Sequence, residues 1–410
     1  MARTKAVLGT GARLSDYLSA SLLARVFPSD SVSACLDRHG RNSQRLRSFP
    51  ATAGVYYCLA LSLYPEAAYE SVFGTVTSGL AWAAGQPAGP KVAKSSISAL
   101  RSKIGWEPLQ DLMNQHCVAL ADPTTHPEAF FAGLRVVAMD GSNFELPDEA
   151  ANVLAFGYPG SRTGHAGYPQ AQCAVLVECA THAILGASIG AYRTEEFKLC
   201  QELLPKLDAS MLCLADRGFR GHSRWVAARS TGAHLLWRAS TKQILAVQEV
   251  LPDNSFLSQL MPGKGSRAER RAQAVTVRVI DYALPDAQGQ TTAYRLITSL
   301  MDHTTAPAHE LARLYHQRWQ VEAVFDELKT HLLKSRRVLR SKTPDLVRQE
   351  FYGWVMAHYA VRWLLHQGAS RHKLKHADQS FTAHVNIVKA AQPQSGRFPP
   401  TKAQKAVPLV

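Results

Sequence analysis

The spacing of apolar positions divides the chain into stretches of different period. Up to about residue 120 the apolar residues recur at helical spacing. Leu22, Leu23 and Val26 mark a first segment ended by Pro28. Ser29 and Asp30 stand where they would cap the next, which runs through Ala34 and Leu36. A longer apolar helix is expected from Ala53 to Tyr64, stopped by Pro65, and another from Glu66 to about Leu80. The Gly/Pro-rich GQPAGP at 85–90 breaks the pattern. After it, Ser95 or Ser96 is expected to cap a short basic helix carrying Arg101 and Lys103. Two readings fit this region: a helix-turn-helix-like DNA reader, or a plain helical accessory domain.

From about residue 134 the period changes to two. LRVVAM (134–139) is expected as a buried strand ending on Asp140, which Gly141 and Ser142 follow. AQCAVLVECA (171–180) and AILGASIGAY (183–192) are separated only by Thr181 and His182 and read as a hairpin. A helix is expected from Glu195 to Leu207. The strand SMLCLA (210–215) then ends on Asp216, followed by Arg217, Gly218 and Phe219. HSRWVAARS (222–230) reads as a helix and AHLLWR (233–238) as a fifth strand. Strand, hairpin, helix, strand, helix, strand is the order of a ribonuclease-H-like mixed sheet. The chain is therefore read as α+β and multidomain. QAVTVRVIDYALP and TAYRLITSL, flanking 239–300, alternate again and suggest a β-rich insertion. After Lys334 the chain is helical and basic, ending in a tail with little to bury.

The stretch YHQRWQVEAVFDELK, from Tyr315 to Lys329, lacks Pro and Gly and is rich in helix formers. On a regular α-helix Tyr315, Arg318, Glu322 and Lys329 fall within an arc of roughly 60°. Such a face is commonly a solvated one with i, i+4 ion pairs. Two upstream aspartates change the picture. Asp140 and Asp216 both end strands of a packed sheet, which holds carboxylates rigidly; singly, each also fits a turn or a helix cap. With Glu322 they make a hard-oxygen set without His or Cys, suited to Mg²⁺ or Mn²⁺. Two such ions suit phosphodiester chemistry.

Charge points the same way. The 410 residues hold 46 Lys plus Arg against 32 Asp plus Glu, a net of +14. That surplus favours a polyanionic partner, with nucleic acid ahead of an anionic membrane. The longest apolar run, Val55 to Tyr64, is too short to span a bilayer, and the first twenty residues lack a signal-peptide apolar region. Seven scattered cysteines form no Cys-x-x-Cys pair, so neither a zinc site nor a disulfide framework is expected. A reducing, cytoplasmic location with no membrane is the corresponding expectation.

VVAMDGS, LADRGF and YHQRWQVEAVFDELK together resemble the DDE transposases of bacterial insertion sequences, in the group founded on insertion element four. The third motif is matched without a gap by Tyr315, Arg318, Glu322 and Lys329. The second is matched by Asp216, Arg217, Gly218 and Phe219, and the first, which is weak, by Asp140, Gly141 and Ser142. ALSLYPEAAYESVFGTVTSGL resembles the helical N-terminal domain of that group.

The resemblance implies a cut-and-paste transposase. Asp140, Asp216 and Glu322 would be its metal-binding catalytic carboxylates, with two Mg²⁺ or Mn²⁺ ions. Tyr315, Arg318 and Lys329 would grip DNA phosphates, as a guanidinium and an ammonium are suited to do. Arg238 and Trp237 close the fifth strand near the expected site. Trp237 either stacks on an extruded base or is an ordinary core tryptophan. The partners implied are terminal inverted repeats, target DNA and a second copy of the chain, with the protein at the nucleoid. The corresponding division is a helical DNA-end-binding domain at 1–125, a catalytic core at 126–238 and 303–345, a β-rich insertion at 239–302, and a helical C-terminal region at 346–410. The rival readings are an inactive or domesticated DNA-binding relative, and a ribonuclease-H-like nuclease that cuts without joining.

Overall fold

The computed structural model describes residues 22–44, 50–83, 92–161, 164–165, 167–285, 291–333, 338–372 and 379–390. The break at 85–90 and the tail after residue 390 lie outside them. In chain order the helices α1 (Ser29–Arg38), α2 (Ala51–Leu63), α3 (Tyr69–Ala83), α4 (Lys94–Ile104) and α5 (Glu107–His116) come first. Then follow β1 (Leu134–Glu145), α6 (Ala150–Phe156), β2 (Gln170–Glu178), β3 (Ile184–Ala191), α7 (Glu196–Gln201), β4 (Met211–Ala215), α8 (His222–Arg229) and β5 (His234–Ala239). The last part holds β6 (Phe256–Leu260), α9 (Arg267–Ala272), β7 (Val275–Pro285), β8 (Thr291–Thr298), α10 (Ala308–Tyr315), α11 (Trp319–Asp326), α12 (Pro344–His372) and α13 (Phe381–Ala390). These elements fall into two compact units. One comprises residues 119–142 and 172–324, the other 1–118, 143–171 and 325–410.

The first unit is built on one mixed sheet whose strands lie in the order β3-β2-β1-β4-β5-β8-β7-β6. Its first five strands carry the 3-2-1-4-5 order of the ribonuclease-H-like fold, with β1, β4 and β5 mutually parallel. Strands buried on both faces read as continuous apolar runs. β4, MLCLA, is buried throughout, and Val136 to Met139 of β1 are each at most 1% exposed. The strands expected as an insertion extend this sheet. β8 pairs antiparallel with β5, β7 with β8, and β6 with β7. Arg278 of β7 is fully buried but well satisfied. It pairs with Asp253 and donates to Ser255 Oγ at 2.7 Å and to the Ala306 carbonyl at 2.7 Å.

The second unit is helical. Nearly every side chain of α2 is buried, as its unbroken apolar sequence requires. It packs on α12, where Gly353 permits the approach: a Cβ there would stand 2.8 Å from the Cys58 carbonyl oxygen. Ser95 and Ser96 lie inside α4, which begins after Ala93 with no side-chain cap. The N-cap position of α1 is likewise Pro28, one residue before Ser29. Of the two basic residues of α4, Lys103 is exposed but Arg101 faces inward. Arg101 donates to Gln349 Oε1 at 2.9 Å and to Ser341 Oγ at 3.0 Å, so it serves packing rather than a DNA surface. No helix among the described residues is long and apolar enough to cross a membrane.

Candidate active site

Parallel register brings the two aspartates together. Arg135 to Ala138 of β1 pair in order with Met211 to Leu214 of β4. Asp140 and Asp216 each lie two residues beyond the last of these pairs, Ala138 and Leu214. Side chains alternate with period two, so both carboxylates fall on one face of neighbouring strands, which are spaced about 4.8 Å apart. β1 does not stop at Asp140 as expected but continues to Glu145; what ends before Asp140 is its pairing with β4. Each aspartate is oriented by a backbone N–H. Gly141 donates to Asp140 Oδ1 at 2.9 Å, and Gly218 to Asp216 Oδ1 at 2.7 Å.

The signature segment departs from a single α-helix. α10 ends at Tyr315, His316–Arg318 forms a 3₁₀ turn, α11 follows, and Glu327–Leu332 is wound as a π-helix. The uniform 100° spacing expected from Tyr315 to Lys329 is therefore lost. Tertiary contacts explain the break. Tyr315 donates its hydroxyl to the Ala215 carbonyl at 3.2 Å, one residue before Asp216. Arg318 donates to Asp140 Oδ2 at 2.9 Å and to Glu322 Oε1 at 3.0 Å. The segment is thus tied at β4 and at β1 within four residues, a reach that a tightened turn allows.

Asp140, Asp216, Glu322, Arg318 and Tyr315 consequently converge in the sheet unit. Burial pushes the Asp140 carboxyl above its usual range. The Arg318 guanidinium and the Gly141 N–H oppose that shift, and the Asp216 and Glu322 charges reinforce it. Glu322 remains largely exposed. The expectation that Tyr315 grips DNA meets a hydroxyl that points inward. Its ring is 5% exposed, and burial raises its pKa. Trp237 is a core residue, 1% exposed and edge-on to Trp225 and Phe219, so it does not offer a face to a base. Arg238, aligned with Leu296 of β8, stacks over the Tyr294 ring at 4.5 Å. Lys329 belongs to the helical unit, where its ammonium lies 5.8 Å from the Phe325 ring centroid.

One acidic residue at this site was not singled out by motif. Glu196 opens α7, the helix that connects β3 to β4, and lies against Gly141. Burial, then the charges of Asp140 and Asp216, push its carboxyl up to about 7. In the sequence, Glu195 and Glu196 look like ordinary acidic residues of a helix's first turn. The available signal was topological: the helix feeding the Asp216 strand begins at the edge of the sheet where the aspartates stand. Glu195 itself pairs with Arg224, which donates to the Gly218 carbonyl at 2.5 Å and so braces the turn after Asp216.

Comparison with known proteins adds the family. The model described as "Transposase DDE domain" matches residues 132–360, and "Insertion element 4 transposase N-terminal" matches 18–114. Transposase InsG for insertion sequence element IS4 of Escherichia coli (strain K12) is 26% identical over 366 residues, covering 85% of this chain and 75% of that protein. Among solved structures, a piggyBac transposase synaptic complex with hairpin DNA aligns with a TM-score of 0.45 at 10% identity. That alignment covers 93% of this chain and 81% of the other, a likeness too low to establish more than general resemblance.

Proposed function

The chain belongs to the DDE transposases, in the group of insertion element 4, and from that premise we propose that Asp140, Asp216 and Glu322 are the carboxylates at which its phosphodiester chemistry occurs. The enzyme is a DNA transposase. On this reading it cuts the inverted repeats at the ends of its own element and joins the freed 3′-hydroxyl to target DNA. The observation that carries the reading is the register of Asp140 with Asp216, with Arg318 joining Asp140 to Glu322.

The family works with divalent metal ions. The residues present fit such ions by donor chemistry: hard carboxylate oxygens only, one of them, Glu196 Oε1, buried without a hydrogen-bond partner. As they stand, no three His, Cys, Asp or Glu side chains among the described residues are gathered closely enough to hold an ion. Asp140, Asp216 and Glu322 would hold two Mg²⁺ or Mn²⁺ ions. When bound, the ions would activate the attacking oxygen and stabilise the leaving one.

The remaining roles fall to side chains. Arg318 takes the cation's place between Asp140 and Glu322, and a DNA phosphate is a better bidentate partner for it than two separate carboxylates. Tyr315 and the braced turn at Gly218 keep Asp216 at its strand end. Arg238 and Lys329 supply further positive charge to the DNA backbone. Residues 1–125, with Lys94 and Lys103 exposed, bind the element's ends. Two copies would pair to hold both ends, each acting in the cytoplasm at the nucleoid.

The test uses DNA from both flanks of the protein's own gene. Wild type and Glu322→Gln are incubated with it in Mg²⁺ or EDTA, and product ends are mapped. Cuts at repeat boundaries that need both Mg²⁺ and Glu322 are expected. Cuts that ignore Glu322 would remove the signature segment from the active site.

A further inference from the structure

We propose that Glu196 is a fourth carboxylate of the active site, which helps Asp140 and Asp216 hold a hydrated divalent cation; the inference rests on the metal-site reading above. Three structural observations lead there. First, Gly141, the residue after Asp140, has no Cβ to exclude Glu196. A Cβ at that position would come within 2.7 Å of Glu196 Cγ and 2.9 Å of its Oε1. The glycine of the Asp-Gly-Ser motif is thus where the Glu196 side chain lies against the strand carrying Asp140.

Second, Glu196 Oε1 is sealed from solvent and has no hydrogen-bond partner. A buried carboxylate oxygen without a donor is costly, and its absence of partner is resolved by a proton, a cation or a cation's water. The neighbouring cation does not fill this need, because Arg318 is committed to Asp140 and Glu322. Third, the same unit shows what a purely structural buried glutamate looks like. Glu178 is 0% exposed and accepts from the Leu120 and Ala121 N–H groups, each at 3.0 Å, and from Thr181 and Arg135. Glu196 has the burial without the donors. It opens the helix that feeds β4, so its place at the sheet edge follows from the same connection that delivers Asp216. Mg²⁺ and Mn²⁺ keep several of their waters when bound, and such waters supply the donors that Oε1 lacks.

The experiment titrates the full-length chain with Mn²⁺ and reads free Mn²⁺ by electron paramagnetic resonance, for wild type, Glu196→Gln, Glu196→Asp and Asp216→Asn. Thermal midpoints in EDTA establish that each variant folds. Glu196→Gln is expected to weaken Mn²⁺ binding about tenfold, the scale typical of residues that support a metal's shell. Asp216→Asn is expected to abolish saturable binding. Glu196→Asp keeps the charge and loses length, so it is expected to bind better than Glu196→Gln. A side chain that only fills space would give the reverse order. DNA cleavage by Glu196→Gln should recover at raised Mn²⁺, whereas that of Asp216→Asn should not. Wild-type affinity in Glu196→Gln, with binding lost in Asp216→Asn, overturns the role of Glu196 and leaves the metal site standing. Wild-type affinity in Asp216→Asn, or no binding by wild type above that variant, overturns both.

Discussion

The molecule buries two clusters of charge, one in each unit, and they are built differently. In the helical unit, both carboxylate oxygens of Glu327 are engaged. Oε2 accepts from Arg362 Nε at 2.9 Å and meets His358 Nε2 at 2.8 Å, while Oε1 takes the second arm of Arg362. The Phe381 ring closes over His358 at 5.1 Å between centroids. In the sheet unit, one guanidinium is divided between Asp140 and Glu322, its Nε has no acceptor, and Glu196 Oε1 has no donor. A saturated cluster holds helices together. An unsaturated one keeps high-energy acceptors in place for something that arrives later.

The largest expected effect breaks the second cluster without harming the fold. Asp216→Asn should lower DNA cleavage on the order of a thousandfold or more, equivalent to about 4 kcal/mol of barrier. Its thermal midpoint should hold or rise, since a crowded negative charge is removed. A variant that unfolds instead would make Asp216 structural and erase the contrast.

In the first cluster the effects should be reversed. Arg362→Ala leaves Glu327 buried without its guanidinium, and about 3–5 kcal/mol of stability should be lost. Chemical denaturation measures this directly. A loss under 1 kcal/mol would mean that the clasp is not what holds the π-helical turn to α12.

Arg318→Gln sharpens the comparison, because Arg318 is expected to exchange partners. Removing one charge-assisted pair costs about 1.5–3 kcal/mol, so cleavage should fall about tenfold to a hundredfold. Mn²⁺ affinity of the DNA-free chain should rise at the same time, since the competing cation is gone. A parallel fall in both would assign Arg318 to scaffolding.

The smallest effect is on pH dependence without metal. The Glu196 carboxyl lies at about 7 in the folded chain against an ordinary 4.5. A raised carboxyl favours folding while protonated. Its contribution is full below about pH 4.5 and is lost as pH rises towards 7. In EDTA the midpoint of wild type relative to Glu196→Gln should therefore fall between pH 5 and 7.5. A constant difference would mean that Glu196 is not shifted.

Much of this architecture is local information. Alternating apolar residues mark β1, β4 and β5 whatever packs on them, and an aspartate following a fully apolar strand must emerge at its end. Asp140, Asp216 and the Tyr315–Arg318–Glu322–Lys329 spacing were legible for that reason. The break of the signature helix at 316–318 was not. Its cause is the Tyr315 bond to Ala215 and the Arg318 bond to Asp140, which join residues 100 and 178 positions apart. The inward turn of Arg101 likewise depends on Gln349, 248 residues away, and the burial of Trp237 on Trp225 and Phe219. Glu196 lacked any motif because its significance is the space left by Gly141. Sequence period determines which residues share a face. Only tertiary packing decides what that face meets, and therefore which charges are satisfied and which are left for a ligand.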